Sequence, residues 1–177
     1  DMGTGKPYQP RLYPGRVMGG KRAVIHVWDS HGKVRFEDAL PGLPDVYGVG
    51  IDRNDNLYVV SAATRHDGDK RHYNDMTGTL IKVKPGAAKI VSAAAKEVPL
   101  ADADKPSRPP DFSSAMQGPA WIQGAEWTFS GVGFGGKNRG VGCACWNSRF
   151  ALDSFARSFV PEMDRYSVAV LDSNGNL

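Results

Sequence analysis

Five short stretches of the chain alternate apolar and polar residues on either side of a polar turn. They are residues 23–36 (AVIHVWDSHGKVRF), 48–62 (GVGIDRNDNLYVVSA), 78–91 (GTLIKVKPGAAKIV), 148–161 (SRFALDSFARSFVP) and 166–177 (YSVAVLDSNGNL). A period of two puts alternate side chains on one face, which is the pattern of a half-buried strand. The turn residues in the middle of each stretch make it a predicted hairpin. Gly32 permits positive φ in the first, Arg53-Asn54-Asp55-Asn56 turns the second, and Pro85-Gly86 turns the third.

Two kinds of hairpin alternate. Residues 23–36, 78–91 and 166–177 read apolar-x-apolar, a polar turn, then a return strand. Residues 48–62 and 148–161 share a second pattern, with Ile51-Asp52 or Leu152-Asp153 before the turn and Leu57-Tyr58-Val59 or Ser158-Phe159-Val160 after it. The order is first kind, second, first, a long insertion over 92–147, second, first. Paired hairpins at a period of roughly 40 to 50 residues are the sequence signature of four-stranded propeller blades. The expected fold is therefore all-β: β-propeller-like repeated antiparallel hairpins over 23–177, forming an incomplete propeller. The insertion at 92–147 is expected to be irregular and rich in glycine and aromatic residues. Residues 1–22 are rich in Pro and Gly with no strand or helix period, and read as an extended arm or linker.

The second pattern resembles the NHL-repeat class of β-propellers, whose strand pair runs roughly Gly-x-x-x-Asp-x-x-Gly-Asn-x-Tyr-Val. Gly48, Asp52, Asn56, Tyr58 and Val59 fall on it, while Asp55 and Ala156 stand where that class prefers glycine. The segments VIHVWDSHGKV and SVAVLDSNGNL are similar to the other strand pair of the class. The resemblance covers about 23–91 and 148–177 and lacks the Asn-His-Leu tripeptide. It implies a binding or scaffold module, secreted or periplasmic, and also permits an enzyme with a metal in a central channel. Two and a fraction blades fit here, whereas propellers close with roughly 4 to 8. The sequence stops inside an expected return strand, so the chain is expected to be a piece of a longer polypeptide or to complete its core with another chain.

The 177 residues suffice for one ordinary domain, with 41% apolar and 23% charged residues. A net charge of +3, with Lys and Arg spread among Asp and Glu, lacks the basic stripe that nucleic acid requires. No apolar run reaches the ~18 residues of a membrane span. The expected partner is another polypeptide, with no nucleic acid and no membrane span.

The segment GVGFGGKNRGVGCACW, residues 131–146, invites three readings. Gly131 to Lys137 match a phosphate-loop pattern, but Asn138 stands where Ser or Thr would hold Mg²⁺, and NRGVGCACW would not open a helix. In a strand, Cys143 and Cys145 would share a face and could share a soft ion such as zinc or copper. His66 and His72, in the polar loop TRHDGDKRHYND, are the first candidates to complete such a site, with His26 and His31 behind them. The preferred reading is a structural loop in which glycines let the backbone approach Trp121, Trp127, Phe129, Phe134 and Trp146.

No complete catalytic motif is present. Ser148 and Ser154 lack the context of a serine nucleophile, and Glu126, Glu162, Asp164 and Arg165 read as charges at strand ends. The reading that follows is a binding or scaffold segment of a larger NHL-like propeller, interacting with another polypeptide or an extracellular ligand. The alternative is a metal-dependent or redox component using the cysteine pair and the loop histidines.

Overall fold

A computed structural model of the chain describes residues 10–16, 24–43, 46–61, 64–67, 70–71, 78–114, 118–133, 150–162 and 165–177. Its strands, in chain order, are β1 (Val27–Trp28), β2 (Val34–Phe36), β3 (Val46–Ile51), β4 (Leu57–Ser61), β5 (Thr64–Asp67), β6 (Lys70–Arg71), β7 (Gly78–Val83), β8 (Lys89–Ser92), β9 (Phe112–Ser114), β10 (Gly118–Gln123), β11 (Ala125–Val132), β12 (Ala151–Leu152), β13 (Ser158–Glu162) and β14 (Ser167–Leu171). The fold is all-β, as the alternation implies, and among the described residues its sheets neither close into a barrel nor complete a propeller.

The strands form four antiparallel sheets: β1-β2, β6-β5-β9-β10-β8, β11-β7-β4-β3 and β12-β13-β14. We call the first the leading hairpin, the third the central sheet and the fourth the terminal sheet. In the central sheet β4 and β7 are buried along their whole length, so both faces of the sheet are covered at these two inner strands. Their runs LYVVS and GTLIKV accordingly read as nearly continuous apolar segments instead of alternating ones.

Among the described residues one turn recurs four times. An aspartate donates its N–H to the carbonyl four residues on, and its Oδ1 accepts the N–H groups of the second and fourth residues after it. Asp29, Asp52, Asp153 and Asp172 all do this. The short side chain acts as a backbone surrogate, so the turn is fixed by one residue type at one position. The residue three after the aspartate is left-handed in every copy: Gly32, Asp55, Ala156 and Gly175 have φ of 78°, 61°, 62° and 83°. Three of these turns join β1 to β2, β3 to β4 and β12 to β13, and the fourth follows β14.

The repeats agree in register as well as in turn. Tyr58 pairs with Lys82 and Val60 with Leu80 across β4-β7. At the same offsets from the corresponding aspartate turn, Phe159 pairs with Val170 and Pro161 with Val168 across β13-β14. Terminal and central sheets are therefore two copies of one unit, the terminal carrying three described strands where the central has four. The leading hairpin supplies one strand pair of a preceding copy, with Val27 at the position of Val170 and Trp28 at that of Leu171.

Two cores lie between successive copies. In the first, Leu57, Val59, Ile81 and Val83 of the central sheet meet Ile25, Val27 and Phe36 of the leading segment, with Ile90 and Ile122 closing the side. In the second, Tyr58, Val60, Leu80 and Val132 on the opposite face meet Val160, Ala169 and Leu171 of the terminal sheet. Each fully buried Val or Leu contributes about 1.5–3 kcal/mol, so these junctions set the stacking.

The third hairpin differs from expectation. β7 and β8 do not pair, although Pro85-Gly86 does sit in the turn between them. β7 lies between β4 and β11, and β8 pairs with β10. β10 and β11 run on from one another through Gly124, so two long strands bend together from one sheet into the next. Gly124 is required at the bend: its φ is +81° and a Cβ there would stand 2.5 Å from the Ala87 carbonyl oxygen. The stretch expected as an irregular insertion thus supplies β9, β10 and the fourth strand of the central sheet.

Residues 10–16, the described part of the expected arm, lie against β8. Gly15 donates to the Val98 carbonyl at 2.8 Å and accepts from the Ser92 N–H at 2.6 Å. The Tyr13 hydroxyl donates to the Ile90 carbonyl, and the buried Arg16 guanidinium pairs with Asp38. Burial first, with the Asp38 charge adding, pushes the Tyr13 hydroxyl up to about 12 against the opposing Arg16 charge.

Candidate interaction surface

The junction between central and terminal sheets shows what the repeated face is built to meet. Tyr58 lies at its middle, fully buried, with its ring edge-on to Trp127 at 5.8 Å and 70°. Its hydroxyl donates to Asp52 Oδ2 at 3.1 Å, and Asn56 Nδ2 donates to the same oxygen at 2.8 Å. Lys82, opposite Tyr58 on β7, pairs with Glu126 Oε2 at 2.8 Å and donates to the Ser173 carbonyl at 2.8 Å. Trp127 Nε1 donates to the same carbonyl at 3.1 Å.

The aspartate turn of the terminal sheet thus seats on the central sheet. Gly175 fits because it has no side chain: a Cβ would come within 2.8 Å of the Trp127 ring. Burial, and after it the Asp52 carboxylate, hold the Tyr58 hydroxyl well above the ordinary tyrosine range. Burial pushes the Asp52 carboxyl up, but the hydrogen bonds from Asn56, Asn54 and Tyr58 together outweigh it and hold the carboxyl below its ordinary value. These groups bond to one another and to Ser173, so the cluster works as a clamp between sheets.

The terminal sheet repeats that face with its β14 side open. Phe159, Pro161, Val168 and Val170 stand where Tyr58, Val60, Leu80 and Lys82 stand in the central sheet. Leu80 is 0% exposed and Lys82 6%, whereas Val168 is 60% and Val170 43% exposed. Ala151, opposite Phe159, is exposed too, and Phe159 and Pro161 are half-buried. Single exposed valines are ordinary, but a contiguous apolar sheet face is the mark of an interaction site. Arg157 borders it, its guanidinium 5.4 Å from the Phe155 ring and 5.9 Å from the Phe159 ring. Among the described residues β14 has β13 as its one strand neighbour, which leaves a sheet edge beside the apolar face.

Of the four residues expected first to hold a metal, one, His66, is among those the structure describes. Cys143, Cys145 and His72 lie outside the described residues. His66 is in β5, its Cα paired with that of Arg71 on β6. His31 sits in the first aspartate turn, and the His26 ring lies 5.5 Å from that of Trp28. Among the described residues no group of three or more His, Cys, Asp or Glu could hold a metal ion. Of the glycine segment, Gly131 and Gly133 are described; Gly133 donates to the Pro161 carbonyl at 2.8 Å and so ties the end of β11 to β13. Glu126 is the partner of Lys82, and Glu162 is buried beside Arg165 and Ser167. Asp164 lies outside the described residues.

The clamp was not apparent from sequence. Its one signal is Lys82, a charge inside the apolar run TLIKV that no surface strand explains. Among the described residues no helix is long and apolar enough to cross a membrane. No family model, no curated protein and no solved structure matches the chain.

Proposed function

We propose that the chain is a binding or scaffold segment of a stacked-blade, NHL-like propeller protein, and that the Phe159-Pro161-Val168-Val170 face receives another polypeptide. The observation that carries this reading is the open face itself. The same face is covered by the terminal sheet in the copy before it, and by the central sheet, through Ile25 and Val27, in the copy before that. A face buried in the central sheet, half-buried in the leading hairpin and open at Val168 and Val170 of the terminal sheet is suited to a partner that supplies further cover. The β14 edge offers backbone hydrogen bonds beside it, so the partner would contribute a β-sheet unit.

A photo-reactive residue placed at position 168, in the protein as its source makes it, tests this. The reading expects adducts to a polypeptide at 168, none from the same group at exposed Lys33 on the turn before β2, and their loss on adding Val170→Asp. Equal adducts from both positions, or none at 168, would overturn it.

A further inference from the structure

β8 is the last strand of its sheet, paired with β10 on one side only. In an antiparallel ladder successive residues turn their N–H and C=O groups to opposite edges of the strand. Val91 is matched with Trp121 on β10, and its neighbours Ile90 and Ser92 turn their N–H groups to the outer edge. Two different segments meet them there. The Ile90 N–H donates to the Pro41 carbonyl at 2.8 Å, and the Ser92 N–H donates to the Gly15 carbonyl at 2.6 Å. The Tyr13 hydroxyl donates to the Ile90 carbonyl at 3.1 Å. Residues 10–16 thus lie where a further strand would pair, and cover an edge that would otherwise be open to other chains.

Three features make this cover separable from the sheets beneath it. Gly15 is its seat: its φ is +76°, and a Cβ there would stand 2.4 Å from Val91 Cγ1. Leu12 is 55% exposed, so the arm gains little from apolar burial. Arg16 is 4% exposed; its Nη2 pairs with Asp38, while its buried Nε and Nη1 have no hydrogen-bond partner among the described residues. An unmet buried donor carries a desolvation cost that water relieves on exposure, so the closed arm holds a penalty that opening removes.

We propose that residues 10–16 are a latch on the outer edge of β8, which opens as one piece while the sheets stay folded and presents the Ser92 N–H and the Ile90 carbonyl when it lifts. Gly15 and Ser92 share that opening. The Gly15 N–H leaves the Val98 carbonyl, 2.8 Å away, in the same movement in which the Gly15 carbonyl leaves Ser92. The Ile90 and Val91 amides do not take part, because Pro41 and β10 still hold them. The latch does not depend on the Phe159-Pro161-Val168-Val170 face.

Residue-resolved amide exchange of the full chain, of Gly15→Ala and of Tyr13→Phe tests this. In wild type Gly15 and Ser92 are expected to share one protection factor, about tenfold or more below those of Ile90 and Val91. Tyr13→Phe removes one hydrogen bond of the latch and is expected to lower the protection of Gly15 and Ser92 by about threefold to tenfold. Gly15→Ala is expected to lower that of Ser92 by about tenfold or more, because alanine is strained at this φ. Both variants are expected to leave Ile90, Val91 and Gly78–Val83 as they are in wild type. Tyr13→Phe carries the test if Gly15→Ala fails to fold. Ser92 and Val91 that share one protection factor and move together in the variants would make the arm an integral part of the sheet and overturn the latch. Unequal protection of Gly15 and Ser92 in wild type, or variants that leave Ser92 unchanged, would overturn it too.

Discussion

The aspartate turns set the smallest unit of the fold, and their chemistry makes them sensitive to acid. Asn56 and Tyr58 add hydrogen bonds to Asp52, and Arg157 and Asn176 side chains do so for Asp153 and Asp172. At Asp172 the Asn176 backbone and side chain lower the carboxyl; at Asp153 burial raises it, and the Arg157 and Phe155 hydrogen bonds together overcome that. Both carboxyls, like that of Asp52, are held below their ordinary value in the folded chain. A depressed carboxyl contributes stability that is fully present above its unfolded value of about 3.9 and is lost as pH falls through the folded value. Thermal melts should therefore hold their midpoint down to about pH 5 and fall steeply below about pH 4. Asp52→Asn should flatten that fall. Left-handed Ala156 gives a second prediction, because a non-glycine residue there is strained: Ala156→Gly should stabilise by about 0.5–1 kcal/mol in chemical denaturation. Gly175→Ala should destabilise, since the new methyl would meet Trp127. The aspartates and turn glycines were legible because a single side chain dictates the turn. The Tyr58-Lys82-Glu126 clamp was not, because its members come from β4, β7 and β11 and meet only in the folded sheet.

At the scale of elements, equivalent positions in successive sheets should respond in opposite ways. Leu80→Asp places a charge in the second core and should cost more than about 4 kcal/mol, enough to unfold a marginal domain. Val168→Asp, at the same place in the terminal sheet, should stay within about 0.5 kcal/mol of wild type. Leu171→Ala, on the covered side of β14, should cost about 2–5 kcal/mol. Urea denaturation of the three variants checks this, and equal costs for the first two would mean that the terminal face is not open. Three of the five stretches form the expected hairpins, and in the fifth β14 and its turn form with no strand after them among the described residues. The third stretch did not, because local turn chemistry at Pro85-Gly86 says nothing of pairing between β7 and β11 across the intervening residues 84–124. β11 takes the place beside β7, and its apolar pattern contains no sign of which strand it will join. Gly124 was visible as a glycine, but its role at the bend appears only when Ala87 lies beside it.

At the scale of the whole molecule, the chain is a short stack of like units with one side of each unit made to cover the one before. The repeat order revealed the all-β class and the recurrence of hairpins. It could not reveal which faces are covered, because Phe159, Val168 and Val170 look in sequence like any inward-facing strand residues. Hydrogen exchange of β14 tests the stacking account most directly. In the dilute isolated chain the account predicts that amides of Ser167–Leu171 exchange much faster than those of Gly78–Val83, which have a strand on either side. It further predicts that Ser167–Leu171 become protected once the receiving face is occupied. Protection of Ser167–Leu171 equal to that of Gly78–Val83 in the dilute chain would contradict it.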